Sequence, residues 1–306
     1  MKKILEKPWV KTIIVVFETY LIYFGVGLIF TFPVRLLVVK PISYLVPEIG
    51  DRVSPSFGPL RVWIAFIIVA AIVKRHTDGR VNLFDIFTIK RKGNTVRNCL
   101  IGLLLGFVMN IICIMAAQSG GCFTLGVKDV KPLSFIIMFI GTFIQSSSEE
   151  LMYRGFMFEG IRKCHRSVLP AIVITTLLFS FNHGAIPGYF PIMLFLNFAA
   201  WGILYSLSVL HTDGIWMSFG MHTMWNFTQA YICGLSNTGI ILPSSLFAPV
   251  SAPVYSILYN CPLGASAELY NSIGDYGVEN GIVAPIVMGI AAVILFFIYK
   301  KNKATA

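Results

Sequence analysis

Long apolar runs separated by short polar connections dominate the chain. A helix needs about 20 mostly apolar residues to cross the hydrocarbon core of a bilayer. The runs lack the alternation of polar and apolar positions that is typical of barrel strands, so the pattern predicts an all-α polytopic membrane helix bundle. About eight transmembrane helices are expected, at residues 12–32, 60–73, 99–117, 133–158, 168–183, 191–210, 215–234 and 282–299. The segment 33–59, with its prolines and glycines, is expected to be a polar connection.

The composition agrees with a membrane protein. Of the 306 residues, 56% are hydrophobic and 12% are charged, whereas soluble domains carry about 25% charged residues. The formal net charge of +10 could indicate nucleic acid as a partner. We reject that interpretation because the basic residues lie between apolar runs and follow the positive-inside rule. Membrane lipid is the expected environment instead.

The same charge bias predicts an orientation. The connection 74–98 is rich in Lys and Arg, whereas the segment 235–281 contains neither. The positive-inside rule therefore places the first in the cytoplasm and the second outside, with both termini cytoplasmic. We expect one membrane domain, residues 1–306, and the short, Lys-rich connections favour a bacterial plasma membrane.

Charged residues interrupt the fourth apolar run, in the segment Ser148-Glu149-Glu150-Leu151-Met152-Tyr153-Arg154. A charge at bilayer depth costs about 2.5–3.5 kcal/mol even on the lenient insertion scales, so these residues need partners or a water-filled cavity. Glu150 and Arg154 are four residues apart and share a helix face, which predicts an ion pair. Glu149 points about 100° away and is left to act as a base. The alternative is a purely structural buried network.

Three further polar residues lie in predicted helices. His183 ends the fifth apolar run, and His222 and Asn226 share one face of the seventh. Each by itself could be a packing group that bonds to a neighbouring helix. Together with Glu149 they form a set that can activate a water molecule and stabilise an oxyanion, which favours hydrolysis of an amide within the membrane.

A metal site stays open as an alternative. Glu149, His183 and His222 are residue types that bind zinc well. The six cysteines contain no C-x-x-C pair, so they indicate neither a metal site nor a redox centre. A disulfide between Cys122 and Cys261, both in connections placed outside, is only weakly supported.

Two functions other than hydrolysis also fit buried acids and histidines. A proton-coupled transporter uses such residues as relays, although the sequence shows no inverted repeat or pair of broken helices. A non-catalytic membrane partner, such as an immunity protein or a chaperone for an exported peptide, would use them only for structure.

Three motifs follow one another on successive apolar segments. They are Glu149-Glu150-x-x-x-Arg154, Phe179-x-x-x-His183 and His222-x-x-x-Asn226. In this order they resemble the CAAX-protease and bacteriocin-processing family of intramembrane proteases, also called the CPBP or Abi family. The resemblance covers about residues 133–234, which would be the catalytic core.

The resemblance implies an endopeptidase that works in the membrane. Glu149 would be the general base and His183 would assist it, while His222 and Asn226 would form the oxyanion site. Glu150 and Arg154 would be structural. Members are often labelled metalloproteases, so the implied cofactor is either none or zinc. Eukaryotic members cleave prenylated C-terminal Cys motifs and bacterial members process peptides, so the implied substrate is a membrane-associated or lipidated peptide or protein.

Depth in the membrane is the critical test of this site. With the predicted boundaries, Glu149 lies about 9 residues, or about 14 Å, from the inner end of its helix. His183 lies about 15 residues, or about 22 Å, from the inner end of its own. The four residues can form one site only if the tertiary structure removes this difference.

Overall fold

The computed structural model describes residues 6–129, 131–184, 192–237, 245–261 and 276–304, and most of them are helical. Ten helices in this part of the chain are labelled in order as α1 Pro8–Ile29, α2 residues 31–45, α3 Gly50–Phe57, α4 Leu60–His76, α5 Val96–Ser119, α6 residues 132–164, α7 Leu169–Gly184, α8 Ile192–Thr212, α9 residues 216–232 and α10 Val283–Ala304. Short 3-10 turns add Pro47–Ile49, Leu83–Ile86 and Gly277–Asn280.

Among the described residues, two short strands form the one β-ribbon beside the helices. Strand β1 (Leu125–Val127) pairs antiparallel with β2 (Phe247–Pro249), with Leu125 opposite Pro249. The all-α prediction is therefore confirmed in part: the described residues are mostly helical, with this one ribbon added. Within the same residues, the six cysteines are all free, and Cys122 Sγ lies 3.2 Å from Ser256 Oγ.

Five segments of the described chain are long and apolar enough to cross a membrane: Pro8–Ile29, Pro47–His76, Val96–Ser119, Ile192–Thr212 and Val283–Asn302. They support an integral membrane protein, but they do not confirm the predicted count of eight. The other three predicted spans are also helices, α6, α7 and α9. The apolar part of α7 is shorter, and α6 and α9 carry the polar side chains of the candidate site, which lowers their hydropathy.

The polar connection expected at residues 33–59 is wrong, because most of it is helical as α2 and α3. Pro41 and Pro47 suggested a break in the chain. Pro41 lies inside α2, directly after its π-helical stretch Arg35–Val39, whereas Pro47 stands in the first turn of a 3-10 segment, where proline costs no hydrogen bond. Proline at that position begins a helix and does not interrupt one.

Helix α6 ends later than predicted. It runs as α-helix over Pro132–Glu150, as π-helix over Leu151–Met157 and as α-helix again over Phe158–Cys164. Glu149 is therefore 15 residues from the end of α6, and His183 is 14 residues from the start of α7 at Leu169. At 1.5 Å per residue these are about 22 Å and 21 Å. The predicted mismatch in depth came from the misplaced boundary and is absent.

Glycines bring α5 and α9 into close contact. A Cβ atom on Gly102 would meet the backbone of Met217, and one on Gly106 would meet the backbone of Met221. From the other side, a Cβ on Gly220 would meet the carbonyl oxygen of Cys99. Small residues four apart allow membrane helices to approach in this way. The contact sets the position of α9 and hence of its polar face.

An ion-pair cluster ties together one end of the bundle. Arg91 Nη2 lies 2.9 Å from both Glu159 Oε1 and Asp213 Oδ1. Arg162 Nη2 lies 2.8 Å from the other oxygen of Glu159. Burial by itself would lower the pKa of Arg91, but the two carboxylates outweigh it and raise that pKa. The cluster joins the loop before α5, the end of α6 and the turn between α8 and α9.

Candidate active site

A cavity of about 300 Å³ lies between α6, α7, α8 and α9. All four residues that the sequence predicted for the site line it: Glu149, His183, His222 and Asn226. Other residues on its wall include Arg52, Gln145, Phe198, Trp201, Asn237 and Glu279. Tertiary packing thus brings side chains from three helices to one small polar space.

Glu149 is the acid that faces this cavity. Its Oε2 lies 3.2 Å from His183 Nε2 and 4.0 Å from His222 Nε2. Its Oε1 accepts a hydrogen bond from Gln145 Nε2, one helical turn earlier. The Glu149 side chain keeps 18% of its surface exposed, so it remains accessible to a small molecule in the cavity.

Glu150 points away from the cavity and is fully buried. Its Oε1 lies 3.2 Å from Arg154 Nη1, which is the ion pair that the four-residue spacing predicted. The guanidinium of Arg154 also stacks 4.4 Å from the centre of the Phe179 ring. In addition, Glu150 Oε1 lies 3.0 Å from His222 Nδ1, a contact that sequence reasoning did not foresee. Glu150 therefore holds one imidazole of the site in place.

The protonation of both imidazoles follows from their partners. His183 Nδ1 lies 2.9 Å from the carbonyl oxygen of Phe179, which can only accept a hydrogen bond, so Nδ1 carries a proton. His222 Nδ1 donates in the same way to Glu150. The Nε2 atom of each ring is thereby directed toward Glu149. The four-residue spacing in the motif Phe179-x-x-x-His183 has a local explanation, because the carbonyl oxygen of Phe179 orients the imidazole ring of His183.

Asn226 lies farther along the cavity wall and reaches Glu149 through Gln145. Its Nδ2 donates to Gln145 Oε1 at 3.3 Å and to Ser146 Oγ at 3.2 Å. Its Oδ1 accepts from Asn237 Nδ2 at 3.3 Å. The predicted set is therefore one direct cluster of a carboxylate and two imidazoles, with the amide joined to it by a bridge.

A comparison with protein-family models finds a match at residues 131–228 to the family described as type II CAAX prenyl endopeptidase Rce1-like. The match covers about a third of the chain and supports assigning this segment to the CAAX protease family. The match agrees with the resemblance that the three motifs indicated. In general terms it supports a CAAX-type intramembrane protease. No curated protein and no solved structure matches the chain significantly.

The residues of the candidate site do not fit a metal centre as they are placed. Among the described residues, no group of three or more His, Cys, Asp or Glu side chains is arranged to hold a metal ion. Glu149 Oε2 lies against His183 Nε2 at hydrogen-bond distance, while His222 Nε2 is farther away at 4.0 Å. The chemistry of the site therefore rests on its own carboxylate, imidazole and amide groups.

Sequence reasoning missed several residues of the candidate site. Gln145 had a usable signal, because it lies four residues before Glu149 and so shares its helix face. Asn237 and Glu279 had none, because the sequence of segment 235–281 predicts no helix and spacing along it therefore indicates no common face. Glu279 is nevertheless only 1% exposed and accepts hydrogen bonds from Trp225 Nε1 and Asn237 Nδ2, each at 3.3 Å.

Proposed function

We propose that this CAAX protease is an intramembrane endopeptidase that hydrolyses a peptide bond in a membrane-associated or lipidated substrate. Glu149 would be the base that activates the attacking water. One observation carries the proposal: a partly exposed carboxylate faces two imidazole Nε2 atoms in a small cavity inside a helical bundle. A carboxylate that only forms a structural ion pair does not need to be exposed. The adjacent Glu150 is such a carboxylate, since it pairs with Arg154 and is fully buried.

The activation of water rests on the pair of Glu149 and His183. Because His183 Nδ1 donates to a carbonyl, its Nε2 and Glu149 Oε2 share a single proton across 3.2 Å. When water attacks the carbonyl carbon of the substrate, one of its protons passes to Glu149 and a C–O bond forms. Collapse of the intermediate breaks the C–N bond, and Glu149 returns that proton to the leaving amine.

Negative charge on the carbonyl oxygen needs a hydrogen-bond donor. Asn226 Nδ2 would supply one, because its bonds to Gln145 and Ser146 are at the long end of the normal range and can be exchanged. His222 would supply the second from Nε2, because its Nδ1 is held by Glu150 Oε1 at 3.0 Å and its Nε2 faces the cavity. Such donors act most strongly in a water-poor site.

A lipid-bearing substrate is supported by the surroundings of the cavity. A larger open groove of about 1310 Å³ lies beside it, and Pro55 and Pro59 line both spaces. Apolar residues contribute much of the groove wall, among them Leu28, Phe32, Leu36 and Val39. We propose that the groove holds the lipid while the peptide enters the cavity.

The deciding experiment measures cleavage of lipidated and unlipidated fluorogenic peptides by purified protein in detergent. We expect Glu149→Gln to lower kcat by about 10²–10⁴-fold, the usual contribution of a general base. Glu18→Gln is the matched control, because Glu18 is an exposed acid on α1 outside the cavity. Unchanged cleavage by Glu149→Gln would refute the proposal.

Two further arms separate the alternatives. Each protein is assayed with a strong chelator and again after zinc is restored, and loss of activity that zinc reverses would make the same residues metal ligands. If the wild type cleaves none of the peptides, proton-driven uptake in proteoliposomes is measured. Uptake that depends on Glu149 would favour the transporter instead.

A further inference from the structure

A chain of side-chain amides connects Glu149 to Glu279. Gln145 Nε2 donates to Glu149 Oε1, and Gln145 Oε1 accepts from Asn226 Nδ2 at 3.3 Å. On the other side, Asn237 Nδ2 donates to Asn226 Oδ1 and to Glu279 Oε1, both at 3.3 Å. Three amides thus lie in series between two carboxylates, and only Glu149 and Asn226 were predicted from the sequence.

The two carboxylates determine how every amide in the series is oriented. An ionised carboxylate can only accept hydrogen bonds, so Gln145 must turn its NH₂ group to Glu149, and Asn237 must turn its own to Glu279. The middle residue, Asn226, then meets a carbonyl oxygen on the Gln145 side and an NH₂ group on the Asn237 side. Its NH₂ must face Gln145 and its oxygen must face Asn237.

This orientation matters for the reaction, because an asparagine with its amide reversed would present an oxygen where a donor is needed. In the observed orientation, Asn226 Nδ2 lies on the Gln145 side, next to the cluster around Glu149. Glu279 is 1% exposed and is also held by Trp225 Nε1 at 3.3 Å. It is therefore a fixed anchor at the far end of the series.

We propose that Glu279, acting through Asn237, is a positioning residue that directs the Asn226 NH₂ group toward the reacting carbonyl. The inference rests on the proposed function, since it assigns a task to the oxyanion donor of that site. It gives a role to the segment 276–281, which lies outside the matched family segment 131–228.

The first test is kinetic. We expect Asn237→Leu, which cuts the series with a side chain of similar shape, to lower kcat about 100-fold with KM unchanged, close to the loss of an oxyanion donor. Glu279→Gln keeps an acceptor but removes the charge, and a smaller loss of about 10-fold is expected. In an Asn226→Ala background neither change should lower kcat further. Equal losses in both backgrounds would overturn the proposal.

Asn280→Ala is the matched control. Asn280 lies in the same 3-10 turn, but it donates to Asn260 Oδ1 and to the carbonyl oxygen of Cys261. Its loss loosens the turn without touching the amide series, so kcat should stay within about 2-fold of the wild type. A loss equal to that of Glu279→Gln would mean a merely structural role and would also overturn the proposal.

The second test does not depend on activity. Protein labelled with ¹⁵N-asparagine reports the two side-chain NH₂ signals of Asn226, assigned by their absence in Asn226→Ala. We expect these signals to shift in Glu279→Gln and to stay in place in Asn280→Ala. If the wild type cleaves no peptide, the proposed function fails, yet the NMR signals still show whether Glu279 positions the Asn226 amide. Unmoved Asn226 signals would refute the positioning even in an active protease.

Discussion

Glu149 and Glu150 are neighbours in the chain, yet their surroundings are opposite. Glu150 is fully buried and bonded to Arg154 and His222, whereas Glu149 keeps 18% of its surface exposed and faces the cavity. The difference arises because consecutive helical side chains point about 100° apart. Glu150 therefore stabilises the bundle, while Glu149 is accessible from the cavity.

These surroundings predict opposite effects of the same substitution. Glu150→Gln leaves the Arg154 guanidinium in the core without its counter-charge, and breaking a buried pair in this way costs about 3–5 kcal/mol. Glu149→Gln removes a charge from the cavity but leaves the ion pair of Arg154 with Glu150 intact, so the unfolding temperature of this variant should not fall. Thermal unfolding of both variants in detergent measures the difference. Equal unfolding temperatures would show that Glu150 is not structural.

At the scale of elements, the contact between α5 and α9 decides where the site lies. Gly106 faces the backbone of Met221, the residue immediately before His222. Any atom added at this glycine pushes α9 away from α5 and moves His222 relative to Glu149. The glycine pair Gly102 and Gly106 therefore helps to set the position of the candidate site without being part of it.

Gly106→Ala tests this contact. The added methyl group overlaps a backbone atom, which cannot swing aside, and overpacking of this kind costs about 1–3 kcal/mol. Both the unfolding temperature and kcat should fall. Gly289→Ala in α10 is the control, because a Cβ there meets nothing within 4 Å. Since alanine favours helix, this control should be neutral or slightly stabilising. A neutral Gly106→Ala would contradict the argument.

At the scale of the whole molecule, the family segment does not build the site by itself. Residues 131–228 contain the three motifs, but Asn237 and Glu279 on the cavity wall lie beyond them. Helix α10 also packs against α8 and α5, outside the motif helices. The C-terminal part of the chain therefore completes both the cavity and the bundle around it.

A chain ending at residue 237 tests this dependence. It keeps the whole matched segment but loses Glu279 and α10, so we expect at least a 100-fold fall in peptide cleavage, about the effect of losing an oxyanion donor. Co-expression of residues 238–306 as a separate polypeptide should restore part of the activity, because membrane helices can associate after insertion. Cleavage at the full rate by the shortened chain alone would contradict the expectation.

The sequence by itself determined the features that depend on local geometry. The length of the apolar runs indicated a helical membrane protein, and the four-residue spacing indicated the pairing of Glu150 with Arg154. The order of the three motifs indicated the family. Each inference holds because helix periodicity and the cost of charge in lipid act within one segment, whatever that segment packs against.

Only the tertiary structure decided the features that depend on contacts between distant segments. It showed that α6 runs on to Cys164, so that Glu149 and His183 lie at equal depth. It also brought Asn237 to Asn226 and Glu279 to Asn237, although the sequence around them predicts no repeating face. The physical reason is that amide orientation and helix approach are determined by partners far away in the chain. Local spacing carries no information about such partners.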